Sequence, residues 1–89
     1  MKISTHIESK ETFYRTADLA LAVALSLSFP MEAIERENPQ NPRRAYFVFK
    51  KTPALDASVE TYWKRALKVE PLAYFEHLRS IKARLYGEE

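Results

Sequence analysis

The stretch from residue 17 to residue 28 contains almost no polar side chain, and this constrains the fold more than any other feature of the sequence. Leucine and alanine dominate it, which predicts a helix with Thr16 as its N-cap and Asp18 in its first turn. Asp18, Ser26 and Ser28 are all that this helix offers to water. A helix that is apolar nearly all round must be covered on more than one side. Either the other helices of the chain cover it completely, or a second subunit covers one side and the protein is a homodimer through this helix.

Two strands are predicted after this helix. Pro30 ends the helix, and residues 31–37 and 44–50 form strands joined by residues 38–43, whose prolines and asparagines favour turns, so that the pair is a hairpin. Side chains of the second strand alternate between two faces. The core face carries Ala45, Phe47 and Phe49. The other face carries Arg44, Tyr46, Val48 and Lys50, and its mixture of cations and an aromatic ring makes it a candidate ligand surface.

Two more helices complete the predicted fold. One begins at Thr52 and Pro53, with threonine as the cap and proline at the first helical position, and the other begins at Glu70 and Pro71 and runs to about Tyr86. The residues expected in the core include Phe47, Phe49, Trp63, Leu78 and Leu85. The prediction is a single α+β domain over residues 13–87, in the order helix, β-hairpin, helix, helix, with the helices packed on one face of the sheet. Residues 1–12 are predicted to be an N-terminal tail or an edge strand.

The charge of the chain is segregated. Residues 1–42 hold four basic side chains against six acidic ones, whereas residues 43–86 hold ten against four. Eight of the eleven aromatic residues lie in the same basic part. Cations interleaved with aromatic rings suit single-stranded nucleic acid, because cations neutralise phosphates and rings stack on bases.

Seven residues are the candidate nucleic-acid contacts because they combine charge or an aromatic ring with predicted exposure. On the last helix, Phe75 lies in line with three of them. The seven are Arg43, Arg44, Tyr46, Lys50, Arg79, Lys82 and Tyr86. For any one of them a solvated surface role is an equal alternative, so the prediction depends on their clustering.

Several classes of function are excluded by composition. Gly87 is the only glycine, whereas phosphate-cradling loops need several, which excludes the common nucleotide-binding enzymes. The chain has no cysteine, which excludes thiolate chemistry. His6 and His77 are the only imidazoles; His77 is expected to face solvent, and nothing resembles a catalytic system. We therefore expect a protein without catalytic residues, metal or cofactor. The longest uncharged stretch, residues 19–31, is shorter than the roughly 20 residues of a membrane span, which favours a cytoplasmic protein with no membrane partner.

Six segments occur in a distinctive order along the chain. They are FYRTADLALA at 13–22, AIER at 33–36, FVF at 47–49 before Thr52 and Pro53, Tyr62 with Trp63, VEPLAYF at 69–75 and IKARLY at 81–86. Over residues 13–86 this order resembles a family of short prokaryotic proteins of unknown function, often carried on phages and other mobile elements. The resemblance implies a mobile-element setting and, by association with replication genes, an accessory role on single-stranded DNA. It implies no catalytic residue.

The leading hypothesis is a small non-catalytic protein that binds single-stranded DNA as an accessory of mobile-element or phage replication, with a replication protein as a further partner. One alternative is an interaction subunit that docks an acidic protein through the edge of its two-stranded sheet. A repressor of double-stranded DNA is a weaker alternative. The last helix carries its basic residues beside rings and lacks the Asn or Gln expected of a base-reading helix, which counts against it.

Overall fold

The computed structural model describes residues 13–36 and 45–87, which form six elements. In chain order they are β1 (Phe13–Thr16), α1 (Leu19–Ser26), β2 (Met31–Arg36), β3 (Ala45–Lys50), α2 (Pro53–Trp63) and α3 (Pro71–Leu85). The predicted α+β class is confirmed, and the helices pack against the sheet. The predicted order needs one correction, because a strand comes before the first helix. The tail or edge strand expected at residues 1–12 lies outside the described residues.

The sheet has three antiparallel strands in the order β1-β3-β2, so β3 is central. The predicted hairpin is confirmed: β2 pairs with β3 from Met31 opposite Phe49 to Arg36 opposite Ala45, with an irregularity between Met31 and Ala33. On its other side β3 pairs with β1, where Thr16 lies opposite Phe47. The sheet therefore has β1 and β2 as its edges and runs β1 and β2 parallel to one another.

Local signals explain where the helices begin and end. Asp18, not Thr16, is the N-cap of α1, since its carboxylate accepts a hydrogen bond of 3.1 Å from the backbone N–H of Leu21. Thr16 instead accepts from the backbone N–H of Asp18 at 3.1 Å. The other two starts follow the prediction, with a side-chain cap in front of proline at the first helical position. Gly87, at a φ of 71°, follows the end of α3.

The core lies between the sheet and the three helices. Five successive residues of α1, from Leu21 to Leu25, are at most 8% exposed. All of them except Ala24 pack with Phe47, Phe49 and Leu55 in one cluster. Among the elements that contact α1 are α2, α3 and β1, which belong to the same chain. One chain therefore covers these residues without a second subunit. The homodimer itself stays an untested prediction.

Candidate nucleic-acid interface

One group of predicted contacts lies on the open face, the side of the sheet turned away from the helices. Tyr46 and Lys50 both lie there, as the alternation along β3 predicts, while Arg43 and Arg44 fall outside the described residues. The described residues of the open face are Phe13, Arg15, Ala33, Glu35, Tyr46, Val48 and Lys50.

Arg15 dominates the chemistry of the open face, although the sequence interpretation passed over it. Its guanidinium reaches across β3 to Glu35, with 2.7 Å between Arg15 Nη2 and Glu35 Oε1, and lies over the ring of Tyr46 at 5.1 Å from the centroid. Val48 is only 5% exposed on the same face. Glu35 neutralises the charge of Arg15, and the guanidinium of Arg15 partly covers the ring of Tyr46. The open face therefore has less unpaired positive charge and less exposed aromatic surface than its sequence suggests.

The second group lies on α3, in the helix layer on the opposite side of the sheet. Ile81 and Leu85 turn into the core and Leu78 packs against it, which confirms the core positions predicted for Leu78 and Leu85. A second line of side chains faces outward at alternating spacings of three and four residues. We call it the outer stripe, and it consists of Leu72, Phe75, Arg79, Lys82 and Tyr86. The sheet thus separates Arg79, Lys82 and Tyr86 from Tyr46 and Lys50, which the sequence placed in one site.

The outer stripe combines large exposed apolar groups with cations. Leu72, Phe75 and Tyr86 are 71%, 53% and 50% exposed, and the guanidinium of Arg79 lies 5.6 Å from the centroid of the Phe75 ring. Within the described part of the chain, no carboxylate forms an ion pair with Arg79 or Lys82. At about 1.5 Å of helix per residue, Phe75 and Tyr86 lie about 16 Å apart along α3. The stripe is therefore a row of two rings with two cations between them.

Arg36 holds the end of this helix in place. It projects from the end of β2, and its guanidinium donates hydrogen bonds to the carbonyl oxygens of Arg84 at 2.8 Å and Leu85 at 2.5 Å. The last carbonyls of a helix carry partial negative charge, so a cation stabilises them. The sheet thereby fixes the last turn of α3, from which Tyr86 projects.

Trp63 was expected in the core, and that expectation is wrong. The indole is 62% exposed, whereas its neighbour Tyr62 packs against the core. Successive residues of a helix point about 100° apart, so Tyr62 and Trp63 cannot share one buried stripe. The two rings meet edge to face, with centroids 5.0 Å apart at 83°. The hydroxyl of Tyr62 donates to the carboxylate of Asp18 at 3.3 Å, which anchors the inner ring of the pair.

Arg65 has an unusual backbone just after α2. Its φ is 63°, in the left-handed region that favours glycine. Two backbone bonds surround it: Arg65 N–H donates to the Tyr62 carbonyl at 2.9 Å, and Ala66 N–H donates to the Thr61 carbonyl at 3.0 Å. This is the Schellman arrangement, in which the left-handed position after a helix is usually glycine. The sequence has no glycine at the end of α2, and this absence could have indicated that another residue, Arg65, takes the left-handed conformation.

His77 is half-buried and does not simply face solvent as expected. Its Nδ1 lies 3.0 Å from the Ser26 hydroxyl oxygen, and that hydroxyl donates its own hydrogen to the Val23 carbonyl at 2.7 Å. Nδ1 must therefore carry the hydrogen of the contact between His77 and Ser26. The pair joins α1 to α3. In residues 13–36 and 45–87, no three His, Asp or Glu side chains come together as a metal site.

No helix in these ranges is long and apolar enough to cross a membrane. Comparison with known proteins gives no match to a curated protein or to a solved structure. A family model does match, and it covers residues 11–87, nearly the whole chain and every described element. Its description is "Domain of unknown function (DUF5659)". The resemblance to a family of unknown function is thereby confirmed, and the chain belongs to the DUF5659 family.

Proposed function

We propose that this protein binds single-stranded nucleic acid along the outer stripe of α3. The observation that carries the proposal is the pair of half-exposed rings, Phe75 and Tyr86, with Arg79 and Lys82 between them and without a described carboxylate partner. Their span of about 16 Å matches about five nucleotides of a stacked strand at 3.4 Å each.

Each member of the stripe has a separate role in this proposal. Arg79 lies over Phe75 at 5.6 Å, so the outer face of its guanidinium can stack on a base while its N–H groups reach a phosphate. Lys82 contributes a second phosphate contact, and Tyr86 supplies a second stacking surface. Stacking on a ring contributes about 1–3 kcal/mol per base. Binding is tolerant of sequence because every base has a face to stack.

The biological setting stays part of the proposal. By the resemblance of its segments, the protein would act as an accessory of mobile-element or phage DNA replication in the cytoplasm, alongside a replication protein. It would do so without catalysis or a cofactor.

An acidic helical protein is the second candidate partner. It is favoured by one observation, Leu72, which is 71% exposed and continues the stripe at the three- and four-residue spacing with which helices pack on one another. Leucine adds nothing to the recognition of phosphate or bases, so its substitution separates the two candidates. Docking of an acidic protein through the edge of the sheet stays a prediction of the same class.

The test is a titration of labelled single-stranded and double-stranded oligonucleotides, followed by fluorescence anisotropy at two salt concentrations. We expect single-strand binding that falls by about 0.7 log units per log unit of salt for each phosphate contacted. Arg79→Ala/Tyr86→Ala should weaken it at least about tenfold, since one stacked base and one phosphate contact are lost.

The matched control is Phe13→Ala/Lys50→Ala, which removes one half-exposed ring and one cation from the open face. Phe13 is 48% exposed, close to the value for Tyr86, and pairs with Lys50 across the sheet. This control should bind as the unsubstituted protein does. No binding at low salt, or equal losses in both double variants, would contradict the proposal. Loss of a pulled-down acidic protein in Leu72→Ser, with oligonucleotide binding absent, would favour the second candidate. Tight binding to one duplex site would instead indicate a repressor.

A further inference from the structure

We infer that Trp63 and Arg65 form a second contact for the same single strand, with the indole stacking on a base and the guanidinium binding a phosphate. This inference rests on the proposed function and adds a site beyond the outer stripe. The two residues lie at the end of α2, on a different element from the stripe, and the sequence interpretation assigned neither of them to binding.

The ring of Trp63 is largely exposed. An indole at 62% exposure is the most exposed ring among the large apolar residues of the described chain. It is nevertheless held in position, because Tyr62 contacts it edge to face and is itself hydrogen-bonded to Asp18. A large ring that is both fixed and exposed is what base stacking needs, since little side-chain freedom is lost on binding.

Arg65 has a backbone conformation that is unusual for arginine. The chain places an arginine, at a φ of 63°, where glycine would satisfy the same two backbone bonds without a steric penalty. Unfavourable backbone conformations of this kind concentrate at functional positions. Within residues 13–36 and 45–87, no carboxylate forms an ion pair with Arg65.

Trp63 and Arg65 lie on the wall of one concavity. Tyr62, Trp63, Arg65 and Leu67 line an open concavity of about 320 Å³, which is within the size range of small-ligand sites. Of these four residues only Arg65 is charged. The concavity thus has an aromatic wall and a cation, which is the combination that selects a nucleotide unit over a neutral apolar ligand.

Two tyrosines, Tyr62 and Tyr74, relate the position of Trp63 to that of the outer stripe. The hydroxyl of Tyr62 reaches Asp18, and the hydroxyl of Tyr74 reaches the Ala20 carbonyl at 3.5 Å, so both tyrosines approach the first turn of α1. Trp63 follows Tyr62, and Phe75 follows Tyr74. Trp63 and Phe75 are therefore each one residue away from a tyrosine that contacts the first turn of α1, and a strand that binds both rings would pass this end of α1.

Trp63 is the only tryptophan of the chain, so its emission reports on this site directly. The probe is a labelled single-stranded oligothymidylate, and each titration records both the anisotropy of the label and the tryptophan emission. We expect the emission to be quenched in parallel with the rise in anisotropy. Arg65→Gly should weaken binding about three- to tenfold and reduce the salt slope by about 0.7, whereas Arg65→Lys should retain the slope. Lys51→Ala, which removes a cation already paired with Asp56 at 2.9 Å, is the control and should change neither.

The outcomes separate this inference from the proposed function. If anisotropy shows binding that depends on Arg79 and Tyr86 while emission is unchanged and Arg65→Gly binds normally, the outer stripe stands and the second contact is refuted. If emission is quenched and Arg65→Gly weakens binding, but Arg79→Ala/Tyr86→Ala does not, the second contact stands and the outer stripe is refuted. If anisotropy does not rise even at low salt, both are refuted. Circular dichroism of each variant confirms that it is folded.

Discussion

Replacing Arg65 by glycine should make the protein more stable, although it removes a charged side chain from the surface. The structure supplies the reason, because Arg65 adopts a φ of 63° and the two backbone hydrogen bonds around it require that conformation. Glycine can make the same bonds in the same conformation without a clash at Cβ. The prediction therefore isolates the cost of holding a residue with a Cβ atom in the left-handed region.

The magnitude follows from two opposing terms. The left-handed conformation costs roughly 1–2 kcal/mol for a residue with a Cβ atom, and glycine removes that cost. Glycine also makes the unfolded chain more flexible, which takes back about 0.5–1 kcal/mol. The Arg65 side chain is exposed, so its own loss changes the free energy of unfolding by less than about 0.5 kcal/mol. The two terms together leave a net rise of about 0–1.5 kcal/mol in the free energy of unfolding of Arg65→Gly. The midpoint, about 0.75 kcal/mol, raises Tm by about 3–6 °C in a chain of this size.

The assay is urea denaturation followed by far-UV circular dichroism, supported by thermal melts. Arg65→Ala is the matched control, since it removes the same side chain and keeps the Cβ atom; it should stay within about 0.5 kcal/mol of the unsubstituted protein. A result in which glycine destabilises the protein, or in which glycine and alanine are equal, would refute the reasoning. Together with the binding test, a more stable but weaker-binding Arg65→Gly would show that stability is given up here for function.

Two further predictions concern Asp18 and Tyr62, whose hydroxyl donates a hydrogen bond to the Asp18 carboxylate. Asp18→Ala should lower the free energy of unfolding by about 0.5–2 kcal/mol because it removes the N-cap of α1, while Asp18→Asn should retain most of it; urea denaturation distinguishes them. Burial raises the pKa of Tyr62 above its ordinary 10.0, and the charge and hydrogen bond of Asp18 raise it further. A pKa raised on folding contributes stability that is complete below the unfolded value and is lost as the pH rises through the folded value. The free energy of unfolding should therefore fall as the pH rises above 10.0, and less so in Tyr62→Phe. An unchanged pH dependence in Tyr62→Phe would assign the loss to other groups.

Much of the fold could be predicted because strong local signals mark it. Thr52 with Pro53 and Glu70 with Pro71 each combine a side-chain cap with a proline at the first helical position, and both helices begin there. The alternation along β3 correctly separated its two faces. Strand β1 was missed because four residues are too few to show a period, and it becomes a strand only through pairing with β3, which is distant in the chain.

The candidate site was less predictable, since it depends on which element lies on which side of the sheet. Sequence pattern identified the ring-and-cation line on α3 and the mixed face of β3, but it could not show that the sheet separates them. It also could not show that Arg15 reaches over Tyr46 to Glu35, because that contact joins three strands. Trp63 was misjudged by assuming that two neighbouring aromatics on a helix are buried together.

The burial of Leu21 to Leu25 in α1 has a consequence for how this chain can vary. A helix with one free side tolerates polar exchanges there, but Leu21 to Leu25 leave no such side, and a larger or polar residue at any of these positions meets the packed interior. New binding properties therefore cannot arise on these five positions without a loss of stability. Functional diversification within this architecture is directed to the surfaces that the core does not use: the outer stripe of α3, the end of α2 and the open face of the sheet.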